Sequence, residues 1–356
     1  MSRTLVVRLD SAGDVLLAGP AVRAVADGSD EVVVLCGPQG ARAAELLPGV
    51  DRIIVWEAPW VGFQPPQVRA DGITRLVAQL AEGGFDRALV LTSAHQSPLP
   101  TALLLRMAGI RDIAADSRDY PGSLLDLRHR RAPGRHEAEA ALDLARAAGF
   151  TLPEGDDGAL RVRPAPEMHE LTGPDPYVVV HPGAAVPSRA PGAATAAEAV
   201  RALSEAGYRV VVTGGPAEKE LTAEVARHHA LDLGGRTDFA GLAGVLSAAS
   251  ALVVGNTGPA HLAAAVATPV VCLFAPVVPA ERWRPYRVPH VVLGDQEAAC
   301  AGTRARTCPV PGHPCLNSVT GAQVAEAVAA LAGRPMAPAE PGGRPEQRAV
   351  NNDTPR

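Results

Sequence analysis

Short apolar runs and longer amphipathic stretches alternate along the chain with enough regularity to predict its elements. Residues 5–9, 31–36, 52–55 and 87–91 are dense in Val, Leu and Ile and read as buried strands. Residues 15–26, 40–47, 73–82, 99–108 and 137–148 repeat apolar positions at helical spacing. The rhythm restarts with strands at 177–181, 209–213, 251–255 and 270–273, and helices at 195–206, 217–228, 239–248 and 259–267. Strand–helix alternation of this kind predicts an α/β protein with parallel sheets covered on both faces. The 356 residues suit two such units. We place them at 1–163 and 164–332. The Gly- and Pro-rich segment 153–174 joins them and reads as a hinge. Ligands of open parallel sheets bind beyond the carboxyl ends of the strands, so the cleft between the units is the expected site. Residues 333–356, rich in Pro, Gly, Glu and Arg, are expected to be disordered.

Composition narrows the function. A net charge of -5 and no basic stripe argue against nucleic acid, and 3% aromatics leave little for base stacking. No apolar run approaches the roughly 20 residues that span a bilayer. Arg8 and Asp10 interrupt the opening apolar run, which therefore reads as a strand rather than a signal peptide. The expectation is a cytoplasmic monomer with at most peripheral membrane contact. Cys36 and Cys272 fall within strand-like runs and read as inert core thiols.

Candidate chemistry gathers in loops that follow strands. In V-V-G-N-T-G-P-A-H-L-A-A-A-V, residues 253–266, an apolar run meets a polar turn and then a helix. Pro259 suits the first helical position, and Thr257 or Gly258 the cap. The free N–H groups of such a turn attract phosphate, and His261 can donate a further hydrogen bond. In S-A-G-D-V, residues 11–15, Asp14 opens a helix, either as its cap or as a carboxylate presented to the cleft. In H-P-G-A-A-V-P-S-R, residues 181–189, Ser188 and Arg189 can hold phosphate oxygens. Glu218 or Glu220, in T-G-G-P-A-E-K-E, can accept from a ribose diol or simply favour a helix start. His95 and Gln96, in T-S-A-H-Q-S, can bind acceptor hydroxyls. Neither a Walker A pattern nor a strand-linked G-x-G-x-x-G is present. Cys300, Cys308, Cys315 and His313 offer zinc-ligand chemistry. They lack paired C-x-x-C spacing and share their segment with Arg304 and Arg306. We therefore expect an ordered loop with free or redox-active thiols, no metal and no cofactor.

Taken together, the loops resemble glycosyltransferase family 9, whose members include the ADP-heptose:lipopolysaccharide heptosyltransferases. The matching stretches are R-L-D-S-A-G-D-V-L-L-A-G-P-A-V-R-A-V from Arg8, H-P-G-A from His181, G-G-P-A-E-K-E from Gly214 and N-T-G-P-A-H-L-A-A-A from Asn256. W-R-P-Y from Trp283 adds a further match. The resemblance implies a GT-B fold, two Rossmann-like domains facing a cleft. It also implies inverting, metal-independent transfer of a heptose from ADP-heptose to a glycan or lipopolysaccharide-core-like acceptor. On this basis Asp14 is the general base, and Ser188, Arg189, Thr257, Gly258 and His261 hold the donor diphosphate. Glu218 and Asn256 lie toward the nucleotide and sugar. The first domain takes the acceptor, with His95 and Gln96 as contacts. The chain departs from the family's pattern at Asn256, where Asp is usual, at Arg189, where Lys is usual, and at Ala190, where Trp is frequent. Two other functions fit the same scaffold: a nucleotide-sugar epimerase, and a nucleotide-sugar-binding protein without turnover.

Overall fold

The computed structural model describes residues 2–62 and 64–333, so of the tail expected to be disordered, 333–356, all but Gly333 lies outside the described residues. Two six-stranded parallel sheets organise the chain. The first contains β1 (Arg3–Arg8), β2 (Glu31–Cys36), β3 (Arg52–Val55), β4 (Arg87–Val90), β5 (Asp112–Asp116) and β6 (Leu127–His129), ordered β3-β2-β1-β4-β5-β6. The second contains β7 (Val178–His181), β8 (Val210–Val212), β9 (Leu231–Asp232), β10 (Ala251–Gly255), β11 (Val270–Leu273) and β12 (His290–Leu293), ordered β12-β11-β10-β7-β8-β9. Around the first sheet lie α1 (Ala12–Leu17), α2 (Gly19–Asp27), α3 (Ala41–Leu46), α4 (Ala70–Gly83), α5 (Leu99–Met107) and α6 (Glu137–Ala147). A short α7 (His169–Thr172) sits in the connection. Around the second lie α8 (Ala193–Glu205), α9 (Lys219–Ala226), α10 (Phe239–Ser247), α11 (Gly258–Ala265), α12 (Ala280–Trp283), α13 (Pro314–Asn317) and α14 (Gly321–Ala332).

Each sheet begins in its middle and winds outward both ways. The chain therefore reverses its direction of travel between β1 and β4, and again between β7 and β10. Loops leaving adjacent strands at such points part to opposite faces and open a crevice. The loops carrying Asp14, His95, Arg189 and His261 all leave these strands.

Strands β5, β6, β9 and β12 escape the apolar pattern because all but β5 are edge strands, and each is short or bounded by charge: D-I-A-A-D, L-R-H, L-D and H-V-V-L. The helix expected over 15–26 is two helices broken at Ala18, with Pro20 opening the second. Proline lacks the N–H that would continue the first. The segment expected to be a hinge is strapped down over its first part. Arg23 holds Asp156 by two hydrogen bonds, at 2.6 and 3.0 Å, and the Ala159 carbonyl at 2.8 Å. Arg163 N–H donates to the Leu46 carbonyl at 2.7 Å.

The outer faces of the two sheets have separate cores, around Leu5, Leu80 and Leu105 in the first and Val180, Leu203 and Leu273 in the second. The inner faces share one apolar core: Val15, Leu16 and Leu17 of α1 pack in the same cluster as Ala260, Leu262 and Ala263 of α11. Burying each such leucine contributes about 1.5–3 kcal/mol. That shared packing holds the two switch points against one another.

Candidate active site

On the first domain's side, β1 ends at Arg8, and the chain turns through Asp10 and Ser11 into α1. Ser11 is extended and makes no side-chain cap. Its hydroxyl instead donates to Asp14 Oδ2 at 2.8 Å. Asp14 Oδ1 accepts from Arg8 Nη2 at 3.0 Å, and the carboxylate keeps 20% of its surface open to solvent. Arg8 is buried and also donates to Ser93 Oγ at 2.9 Å, with its Nε 3.1 Å from Asp10 Oδ2. Asp10 Oδ1 accepts from Gln96 Nε2 at 2.5 Å, and Gln96 Oε1 accepts the Ser93 N–H at 3.1 Å. Behind Arg8, Glu137 Oε2 lies 4.0 Å away while its Oε1 accepts from Arg131 Nη1 at 2.7 Å.

This arrangement separates the two aspartates electrostatically. Burial would raise the Asp14 pKa, but Arg8, the Ser11 hydroxyl and His261 outweigh it and hold the carboxyl below its ordinary value. At Asp10 burial prevails over Arg8, and the charges of Asp14 and Glu137 add to it, lifting the carboxyl to about 6. Asp14 therefore keeps its charge to lower pH than Asp10 does.

On the second domain's side, Thr257 precedes α11 in extended conformation and does not cap it with its side chain. Pro259 stands in the first turn, as expected. Gly258 meets Gly13 across the domain boundary: a Cβ on Gly13 would lie 3.2 Å from Gly258 Cα and 3.0 Å from His261 Cδ2. Two glycines therefore bring the Asp14 turn and the α11 N-terminus together. His261 is buried, its Nδ1 has no partner, and burial together with His136 and Arg189 lowers its pKa to about 4. The imidazole is neutral at pH 7 and has one N–H to donate. Arg189 closes a single turn, Pro187–Arg189, with its Nε buried and unpartnered. Burial lowers its pKa against the opposing field of Asp14.

Other expected site residues are engaged within the protein. Ser188, expected at the phosphates, is buried and donates its hydroxyl to the Ala305 carbonyl at 2.5 Å. Asn256 is a clamp between strand ends: its Nδ2 donates to the Ala275 carbonyl at 3.2 Å and its Oδ1 accepts the Ala275 N–H at 3.0 Å. A neutral amide suits this buried place, having both a donor and an acceptor to offer the backbone of one residue. Glu218 Oε2 accepts the Gly215 N–H at 2.6 Å, closing the turn before α9, and lies 3.9 Å from His181 Nε2. Glu220 is exposed on α9. Gln96 is committed to Asp10 and Ser93, whereas His95 stands exposed at the cleft. Arg8, Asp10, Ser93 and Glu137 are missing from the expected site. The visible signal for the first two was the charge that interrupts an otherwise apolar opening strand and its end.

Cys300, Cys308 and Cys315 are free thiols. Among the described residues no group of three or more His, Cys, Asp and Glu side chains is arranged to hold a metal ion. Among them, too, no helix is long and apolar enough to cross a membrane.

Comparisons with known proteins follow the same outline. The family model of glycosyltransferase family 9 (heptosyltransferase) matches residues 73–313. Lipopolysaccharide heptosyltransferase 1 of Pseudomonas aeruginosa is 31% identical over 322 residues, 86% of this chain and 87% of that protein. Lipopolysaccharide heptosyltransferase 3 of Escherichia coli is 32% identical over 126 residues, 34% of this chain and 36% of that protein. Among solved structures, a family 9 glycosyl transferase from Veillonella parvula aligns with TM-score 0.73 at 18% identity, covering 93% of this chain and 97% of that one. E. coli ADP-heptose lps heptosyltransferase II aligns with TM-score 0.70 at 20% identity, covering 93% and 98%. E. coli heptosyltransferase WaaC, solved with ADP-2-deoxy-2-fluoro heptose, aligns with TM-score 0.66 at 20% identity, covering 91% and 98%. The GT-B arrangement of two Rossmann-like halves is thus matched over nearly the whole chain. With a carboxylate on one half facing unpartnered nitrogens on the other, and a family model that matches most of the sequence, the chain belongs to glycosyltransferase family 9, the heptosyltransferases.

Proposed function

We propose that the protein transfers a heptose from ADP-heptose to a hydroxyl of a lipopolysaccharide-core-like glycan, with inversion and without a metal ion. The carrying observation is the apposition of Asp14 to the unpartnered His261 Nδ1 and Arg189 Nε across the Gly13–Gly258 contact. The similarity to heptosyltransferase 1, and to WaaC, solved with a fluorinated ADP-heptose, favours this donor. We place the acceptor against the first domain, 1–163, with His95 at its edge, and the nucleotide sugar on the second, 164–332. Thr257, Gly258, His261 and Arg189 face the diphosphate, and Glu218 stands toward the ribose.

Asp14, ionised and oriented by Arg8 and Ser11, takes the proton of the acceptor hydroxyl as its oxygen attacks the anomeric carbon. The new C–O bond forms on the face opposite the departing diphosphate, and the electron pair of the broken bond leaves with it. His261 and Arg189 donate to that charge from fixed positions, which needs no reorganisation during reaction. The protein acts in this view as a cytoplasmic monomer, with the membrane surface touched only through its acceptor.

Asp14→Asn preserves shape and removes the base. Turnover should fall about 10²–10⁴-fold while ADP binding by calorimetry stays near wild type. Near-normal turnover in this variant removes Asp14 from the mechanism. Activity retained in excess chelator, with release of ADP and a heptosylated product of inverted anomeric configuration, checks the rest. An altered sugar released without acceptor would identify an epimerase instead.

A further inference from the structure

The proposed reaction leaves the W-R-P-Y segment and the N-terminus of α6 without a role, and the two meet across the domain boundary. His136 stands immediately before α6 on the first domain and is buried. Its Nδ1 accepts the Ala138 N–H at 3.2 Å, which caps the helix. Its Nε2 lies 3.0 Å from the carbonyl oxygen of Arg284, on the second domain. Nδ1 must offer a lone pair to Ala138, so the proton sits on Nε2 and the neutral ring donates to that carbonyl. The ring also stacks on Tyr286, with centroids 4.5 Å apart and an interplanar angle of 24°. Beside this contact Arg287 Nη1 donates to the Asp157 carbonyl. Residues 284–287, which lead from α12 toward β12, thus fasten onto the first domain through a histidine that also starts a helix.

The next residue, Glu137, belongs to the cluster around Arg8. Its side chain is 1% exposed. Oε1 accepts from Arg131 Nη1 at 2.7 Å, whereas Oε2 has no hydrogen-bond partner and lies 4.0 Å from Arg8 Nη2. The same Nη2 donates to Asp14 Oδ1 at 3.0 Å. Arg131 is fixed in turn by Asp116 Oδ2 at 3.1 Å and the Thr92 carbonyl at 2.8 Å. Buried polar atoms are rarely left without a partner, so Glu137 is held in this place by Arg131 and by the backbone that carries it. That backbone is the first turn of α6, which the His136 ring caps. Contacts therefore run without a break from Arg284 and Tyr286, through His136 and Glu137, to Arg8 and Asp14.

We propose that His136 is a positioning residue for the transfer reaction, one that registers the docking of the second domain and aims the Arg8–Asp14 pair accordingly. The proposal rests on the nucleotide-sugar reading above and adds to it a means of aligning the base. His136 touches no reacting atom. With residues 284–286 against the ring, α6 keeps its first turn and Glu137 keeps its place behind Arg8. The guanidinium is then confined between Glu137, Ser93 and the two aspartates. When that segment withdraws, the ring loses both its acceptor and its stacking partner, and its hold on Ala138 weakens. Glu137 shifts with the loosened turn, and Asp14 loses the fixed orientation that a proton acceptor in the reaction needs. The base is aligned only while the domain that carries the donor is docked.

The test is His136→Asn, Tyr286→Ala and Tyr286→Phe, read by kinetics on donor and acceptor, ADP calorimetry and thermal melts. Asn is among the strongest helix caps and keeps α6 started, but it is too short to serve Arg284 and has no ring for Tyr286. His136→Asn and Tyr286→Ala should each lower kcat about 10- to 100-fold, with both KM values and ADP affinity near wild type. Tyr286→Phe keeps the stacked ring and should keep kcat. In a Glu137→Gln background His136→Asn should cost far less than it does alone, because the two residues act along one route. Losses that add in full overturn that route. Wild-type kcat in His136→Asn and Tyr286→Ala overturns the role, as does a raised KM with kcat unchanged. Should one of these variants fail to fold, the other makes the same comparison from the opposite domain; failure of both overturns the role in favour of a purely structural contact. Wild-type protein that binds no ADP and transfers no sugar defeats the nucleotide-sugar reading and this role together. An active wild type with indifferent variants defeats this role alone.

Discussion

Arg8 divides one guanidinium between two carboxylates, and the division sets their chemistry. Asp14, bonded by both Arg8 and the Ser11 hydroxyl, is held below its ordinary value despite burial, whereas at Asp10 burial prevails and lifts the carboxyl to about 6. A raised carboxylate makes the folded state bear an unwelcome charge above pH 6, and that burden is relieved as pH falls from 6 toward 3.8. Asp10→Asn should therefore be more stable than wild type at pH 7.5, by up to about 2–3 kcal/mol. The advantage should shrink through pH 6 and vanish near pH 4. His261 runs in the opposite sense: buried neutral with a pKa of about 4, it resists protonation that the unfolded chain accepts from about 6.5 downward. Stability from this group is complete above 6.5 and is lost as pH falls to 4, so Asp10→Asn should show a steeper acid loss than wild type. Thermal melts of both proteins at half-unit pH steps measure this. A variant less stable than wild type at pH 7.5 would mean that Arg8 needs the Asp10 charge. Arg8 and Asp10 were visible in the sequence only as interruptions of an apolar run. Their roles depend on Ser93 and Gln96, some 85 residues away, which no local pattern reports.

At the scale of elements, the decisive contact is between the first turns of α1 and α11. Both begin with or contain a glycine at the point of approach, and the close fit is steric, since neither glycine has a positive φ. Gly13→Ala would press a methyl against His261 and the Gly258 backbone. Backbone yields less readily than a side chain, so α1 must shift by a few tenths of an ångström. We expect kcat to fall about 10- to 100-fold, as small misplacements of reacting groups do, with a melting temperature close to wild type. Unchanged kcat would show that the two turns can separate without harm. The Gly and Pro of N-T-G-P were legible as a helix start, and Asp14 as a residue of a first turn. That Asn256 and Ser188 serve as internal ties was not legible. Each bonds to a backbone carbonyl or amide distant in sequence, and an exposed loop and a buried clamp share the same polar residue types.

At the scale of the whole molecule, the connection between domains is a strap over its first part. Arg23 and Asp156 are both largely buried, their side chains 8% and 6% exposed, and breaking one partner of such a pair leaves a buried charge uncompensated. Arg23→Gln should lower unfolding stability by about 3–5 kcal/mol, measured by urea titration, and expose the 153–163 segment to proteolysis. A loss below 1 kcal/mol would indicate that the shared apolar core alone holds the connection in place. The alternation of strands and helices, the two-unit plan and the chemistry of the strand-end loops were determined by the sequence, because each depends on spacing within a dozen residues. Tertiary structure alone decided which loop residues face the cleft and which are consumed as ties. Charge, burial and hydrogen-bond satisfaction are properties of neighbourhoods, and a chain acquires its neighbourhoods only when distant segments meet.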